Sequence, residues 1–193
     1  MAAYRFFGNE EIDWRAILGA HTDCARTRMA AHEVVLCIQD TTELDFNGQD
    51  ASGLGPLSYE AQRGMYAHPI YAVSTSREPL GVLDAWMWGR EPKDREGHRH
   101  GVKERVRWVE GYERLAEMAP QLPETRLVYL ADREADIMEL MRRVDALATP
   151  VDWLLRSKCR RRLNIAPPGV RRKMGLSSDN PAPNLFARIC MPG

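Results

Sequence analysis

No stretch of the sequence is apolar for long enough to span a membrane, and the opening "MAAYRFFGNEEIDW" lacks the basic-then-apolar order of a secretory leader. A cytoplasmic chain with no membrane partner is therefore expected. Cysteine is scarce and scattered: Cys24, Cys37, Cys159 and Cys190 show none of the close paired spacing of a zinc site. Two of them lie in apolar or basic runs, so reduced structural thiols are expected. The absence of an internal repeat excludes a repeat architecture. Net charge is absent too, with 27 basic residues balancing 27 acidic ones.

That zero conceals an asymmetry. From Arg156 onward nine basic residues face one acid, Asp179, which gives this tail +8 and leaves −8 on everything before it. Two readings stand: a polyanion held against a carboxylate-bearing body, or a solvated basic tail. Glutamate is missing from the same region, since none follows Glu139.

What is present suits one domain with a core, 193 residues with 44% apolar content. Ile12 to Leu18 and Cys24 to Met29 place apolar residues at helical spacing, with Asp23 as the expected cap. Val34 to Gln39 reads as a strand buried on both faces. A glycine-rich loop follows, "FNGQDASGLGPLSYEAQRG", and then two β-rich runs, "MYAHPIYAVSTS" and "PLGVLDAWMWG", joined by a turn at Arg77 to Pro79 as in a hairpin. Pro69 demotes the start of the first run to an edge or a bulge. After a charged loop, Glu91 to Gly101, a helix is expected over residues 103–118, ended by Pro120 and Pro123. "RLVYLAD" predicts a second buried strand, Glu134 to Leu147 a second amphipathic helix, and "VDWLLRSK" a third strand. Buried strands separated by helices run parallel with right-handed crossovers, while the hairpin adds antiparallel strands at the other edge.

Two carboxylates end two of these strands: Asp40 in "VVLCIQDTTELDF" and Asp132 in "LVYLADREADIM". At equivalent ends of parallel neighbours, roughly 4.8 Å apart, they can converge on one hard cation. Mg²⁺ takes one or two protein carboxylates and leaves positions for phosphate oxygens, and two such ions clamp an in-line phosphoryl transfer. A structural reading stands beside this one. Asp132 is a natural helix N-cap with Glu134 and Asp136 as first-turn acids, and Asp40 is a natural turn residue.

"VVLCIQDTTELDF", "ADREADIMEL" and "LLRSK", with "AAYRFFGNE" and "GLGPLSYEAQRGMYAHPIYAVS", together resemble the DDE transposases of the insertion-sequence 4 group, which includes the Tn5 transposase. The match covers nearly all of residues 2–163. The resemblance implies an α/β fold, a ribonuclease H-like mixed sheet flanked by helices, preceded by an N-terminal helical segment and followed by an incomplete C-terminal β-rich insertion. The corresponding division is 1–33, 34–163 and 164–193. It implies cleavage and joining of transposon ends with Mg²⁺ or Mn²⁺, with Asp40 and Asp132 as the first two catalytic acids and metal ligands. The third acid of that family, a glutamate in a C-terminal helix, has no counterpart here, and the start is also shorter. A catalytically incomplete fragment is therefore expected; the alternative is a non-catalytic inhibitor that binds DNA or a transposase.

The implied partners are DNA, both transposon ends and target, and a second copy or a full-length transposase. Arg156, Lys158, Arg160, Arg161 and Arg162 follow the third strand and are read as phosphate contacts, with Arg63 in the long loop added from the family pattern. Trp86 and Trp88 are read as core or sheet surface, not base-stacking platforms. His98 and His100, with Asp94 and Glu96, are read as a solvated loop.

Overall fold

The computed structural model describes residues 2–9 and 11–157. A short helix α1 (Ala2–Phe7) precedes α2 (Trp14–Met29). Strands β1 (Val34–Gln39), β2 (Thr42–Asp45), the two-residue β3 (Gly55–Pro56), β4 (Arg63–Ser74) and β5 (Pro79–Trp88) follow. The chain then alternates through α3 (Val106–Met118), β6 (Arg126–Ala131), α4 (Met138–Leu147) and β7 (Asp152–Leu155). Among the described residues no helix is long and apolar enough to cross a membrane.

The cap of helix α2 lies ten residues before the expected one. Asp13, in extended conformation, accepts from Arg15 N at 3.1 Å and caps it. Asp23 lies inside the helix instead and pairs with Arg26 one turn on. The apolar spacing on either side of Asp23 is therefore one continuous helix.

All the described strands join one mixed sheet. β1 pairs with β6 and β6 with β7 in parallel; β4 pairs antiparallel with β1 on one side and β5 on the other. The helical crossovers between β1, β6 and β7 account for the parallel half, and the tight turn at Arg77 (φ 68) for the hairpin. β4 is thus an interior strand and not an edge, and the irregularity expected from Pro69 follows it by one residue, where the register against β5 shifts between Ile70 and Tyr71. The proline's effect appears opposite it: β1 and β2 keep one register against β4, Gln39 opposite Ile70 and Thr42 opposite Ala67, but pairing lapses between them. Counting through the gap sets Asp40 opposite Pro69, which has no N–H for the ladder, and Thr41 opposite His68.

One face of the sheet carries the core. Val35, Cys37, Ile70, Ala72, Leu127, Tyr129 and Leu155 alternate onto it and meet Ala25 and Met29 of α2, Trp108, Tyr112 and Leu115 of α3, and Leu140 of α4. Each fully buried Val, Leu, Ile or Met among them contributes roughly 1.5–3 kcal/mol by leaving water. The expectation that β1 is buried on both faces is corrected here. Its burial alternates, and Val34, Leu36, Ile38, Val128, Leu130 and Leu154 on the opposite face are no part of that core; Ile38 is 38% exposed. A run of five apolar residues conceals this, because periodicity cannot show which face a helix covers.

Candidate functional site

Asp40, Asp132 and Arg156 form a row. Gln39 is in register with Ala131, and Ala131 with Leu155, so each of the three is the first residue beyond its strand on neighbouring parallel strands. Adjacent members of such a row stand about 4.8 Å apart along the hydrogen-bonding direction. Arg156 N donates to Ala131 O at 3.1 Å and carries the ladder one residue past β7. Gln39, Ala131 and Leu155 face the core, so strand alternation turns Asp40, Asp132 and Arg156 to the opposite, open face.

Each aspartate uses one oxygen locally. Asp40 Oδ1 accepts from Thr41 N at 2.8 Å, and Asp132 Oδ1 accepts from Glu134 N at 2.7 Å, where it caps a single 3₁₀ turn, Arg133–Ala135. Among the described residues neither Oδ2 receives a hydrogen bond, and neither carboxylate forms an ion pair. Two carboxylates on adjacent strand ends, each with an oxygen to spare, fit a hard divalent cation that takes one or two protein ligands and completes its shell with water. Capping and metal binding are therefore compatible in Asp132. No group of three or more His, Cys, Asp or Glu side chains converges among the described residues.

Asp136 departs from its expected place as a first-turn acid. Helix α4 starts only at Met138, and Asp136, 6% exposed, accepts from Ser157 Oγ at 3.3 Å through Oδ2. It fastens the chain beyond β7 to the segment that opens α4, which holds Arg156 beside Asp132. Four-residue spacing in "DREAD" resembles an ordinary acidic helix start, and only the intervening 3₁₀ turn separates the two roles.

Three residues lie beneath Asp40, and no spacing in the sequence marks what they touch. Gln39 is buried; its side chain accepts from Tyr129 Oη at 2.6 Å and donates to Arg107 O at 3.0 Å, fixing the end of β1 to β6 and α3. Thr41 Oγ1 lies 2.7 Å from His68 Nδ1. His68 is 1% exposed, enclosed by the edge-on rings of Trp86, Trp88 and Trp108, the last at 4.4 Å between centroids. Burial, and then the nearby Arg107 charge, push its pKa down to about 4, so the ring is neutral at neutral pH.

The remaining candidates separate. Arg63 sits beyond β2, where its guanidinium donates to Leu54 O at 2.8 Å and its carbonyl accepts from Phe46 N, six residues along β4 from Pro69, the position opposite Asp40, and so roughly 20 Å from the row. Lys158, Arg160, Arg161 and Arg162 lie outside the described residues. Trp86 packs partly against the core, and Trp88 stacks on Tyr66 at 5.6 Å. In the 91–101 loop Asp94 Oδ1 accepts from Glu96 N and His98 N, and His98 and His100 stay exposed. The carboxylate there organises a turn.

No family model matches the chain. Among solved structures it is similar to a piggyBac transposase synaptic complex with hairpin DNA, at TM-score 0.41 and 12% identity, over 76% of this chain and 26% of that one. It is similar to a Mos1 transposase paired-end complex with the left transposon end at TM-score 0.34 and 13% identity, over 76% of this chain and 43% of that one. A pre-cleavage Mos1 transpososome gives TM-score 0.31 and 10% identity, over 69% and 41%. The chain spans less than half the length of each of these.

Proposed function

We propose that the chain carries part of the catalytic core of a DDE transposase of the insertion-sequence 4 group, on a ribonuclease H-like sheet. Asp40 and Asp132 hold Mg²⁺ or Mn²⁺, and Arg156 meets a DNA phosphate at the same sheet edge. The single observation behind this reading is the register that makes the two aspartates and Arg156 consecutive members of one row. Together with the D-T-T and D-R-E-A-D motifs that supply two of its members, it matches what polynucleotidyl transfer requires: carboxylates for the ion and a cation for the backbone.

When bound, the ion supplies Lewis-acid activation of water and of the scissile phosphate. The chain's own residues bind and orient. Thr41 N and Glu134 N each fix one carboxylate oxygen, so the other would be the one to hold the ion, and Arg156 would offset phosphate charge. Two carboxylates suffice to bind an ion weakly, but a third is what positions a second one. With no glutamate after Glu139 and no third ligand converging among the described residues, strand cleavage by this chain alone is expected to be very poor.

The same observation favours a second reading, a non-catalytic protein that binds DNA or a full-length transposase and blocks it. Both are examined on a transposon-end duplex with Mn²⁺. Salt-sensitive binding with little or no cleavage is the expected result. Robust cleavage that Asp40→Ala abolishes would overturn the expectation of an incomplete catalyst; neither binding nor cleavage would remove the nucleic-acid reading altogether.

A further inference from the structure

We infer that Thr41 and His68 are positioning residues for the Asp40 carboxylate, a buried His–Thr clasp that sets the direction of a metal ligand from beneath the sheet. The inference rests on the metal-site reading above and deepens it. Asp40 stands in the one gap of the β1–β2 line along β4, opposite Pro69, where no ladder hydrogen bond fixes the backbone. A ligand on unpaired backbone would be poorly oriented. Thr41 repairs this from both ends: its N–H donates to Asp40 Oδ1 at 2.8 Å, and its Oγ1 lies 2.7 Å from His68 Nδ1.

His68 in turn cannot move. Trp86, Trp88 and Trp108 stand edge-on around it, and β4 holds its backbone between β5 and the β1–β2 line. Its Nε2 is buried without a hydrogen-bond partner among the described residues. A residue there only to fill space would be an aromatic hydrocarbon, which leaves no polar atom unpartnered. The imidazole is explained by its other nitrogen, the one that holds Thr41. The contact holds in either ring tautomer, Nδ1 accepting from the Thr41 hydroxyl or donating to it.

The test measures Mn²⁺ affinity by electron paramagnetic resonance of the free ion, with near-ultraviolet circular dichroism as a check on folding. Wild type is expected to bind and Asp40→Asn to bind much more weakly. Thr41→Val is expected to lose roughly tenfold in affinity, the scale on which groups orienting metal ligands act. Thr41→Ser, which keeps the hydroxyl, is expected to return to within about twofold of wild type, and His68→Phe to behave as Thr41→Val. If Thr41→Val does not fold, Thr41→Ala removes the hydroxyl without pressing a methyl on the imidazole and is read in the same way. Asp40-dependent binding that Thr41→Val and His68→Phe leave unchanged would overturn the clasp while the metal reading stood. Equal binding by wild type and Asp40→Asn would end the metal reading, and the clasp with it.

Discussion

Oδ1 of Asp132 caps the 3₁₀ turn, while Oδ2 receives no hydrogen bond among the described residues and is the oxygen the proposed ion would take. Asparagine caps as well as aspartate but carries no charge. Asp132→Asn should therefore unfold within about 0.5 kcal/mol of wild type, whereas Asp132→Ala should lose about 1 kcal/mol. The stabilisation that Mn²⁺ confers, about 1.4 kcal/mol at tenfold excess over its dissociation constant, should vanish in both. Thermal unfolding with and without the ion separates the two effects. Gly111 illustrates a different constraint. A Cβ there would lie 2.0 Å from Gln39 Oε1. Gly→Ala in a helix interior ordinarily gains up to about 1 kcal/mol, yet Gly111→Ala must displace a buried amide bonded to Tyr129 and Arg107. A net loss of about 1–3 kcal/mol is expected, largely recovered in Gly111→Ala with Gln39→Ala, as denaturant titration of the cycle would reveal. His68 adds a pH dependence. Its folded pKa of about 4 lies below the ordinary 6.5, so in acid the unfolded chain takes up a proton that the folded one refuses. The associated stability is intact above about pH 6.5 and is lost as pH falls toward 4, by up to about 3 kcal/mol. His68→Phe should flatten the unfolding free energy between pH 6.5 and 4.5, an interval above that in which Glu43 and Glu104, whose pKa values are lowered, add their own loss.

The free edge of β5 is covered by side chains of α2. His21 Nε2 accepts from Val82 N at 3.0 Å, Thr22 Oγ1 donates to Leu83 O at 3.1 Å, and Arg28 Nε donates to Leu80 O at 2.6 Å. An open edge invites pairing with other chains, and here a helix spends three polar residues on closing it. Gly81, at φ +138, permits the approach: a Cβ would come within 2.9 Å of both Ala25 Cβ and His21 Nε2. Gly81→Val should therefore lift α2 from the sheet, and hydrogen exchange should accelerate at Val82 and Leu83 before it changes in β6. Protection unchanged at those amides would mean that the edge is held elsewhere. The hairpin, the three parallel strands and their connecting helices were legible in sequence, because period-2 and period-3.6 patterns and proline stops are local signals. The Asp40–Asp132 row was legible for the same reason, each aspartate closing an apolar run. The Asp13 cap was masked by Asp23, since both are followed by helical spacing. The clasp of Thr41 and His68, and the strap of Asp136 and Ser157, were not legible. They join residues 27 and 21 positions apart through burial, which no spacing rule encodes.

At the scale of the whole molecule, charge decides what the row can meet. Residues before Arg156 carry −8 against +8 from there onward, so a DNA duplex approaching the two aspartates is repelled by the body and attracted only by the basic tail. Arg156 is the described member of that tail, exposed and without an ion pair among the described residues, and it stands in register beside Asp132. Binding should therefore be almost wholly electrostatic, with log Kobs falling linearly against log salt at about −0.9 per phosphate neutralised. Arg156→Gln should reduce the slope by about one and weaken different sequences equally, as a phosphate contact does. Arg160, Arg161 and Arg162 changed together to Gln should reduce it by up to about three if each meets a phosphate. Fluorescence anisotropy of a labelled duplex across a salt series measures both. A slope unmoved by all four substitutions would show that the basic run is solvated and not engaged with DNA; a slope that falls for the triple variant but not for Arg156→Gln would detach the row at the strand ends from the DNA path. Asp40→Asn, which removes one negative charge from that path, should act in the opposite sense and tighten metal-free binding, the signature of a carboxylate that faces the phosphate backbone and must be neutralised by a divalent ion before the two can approach.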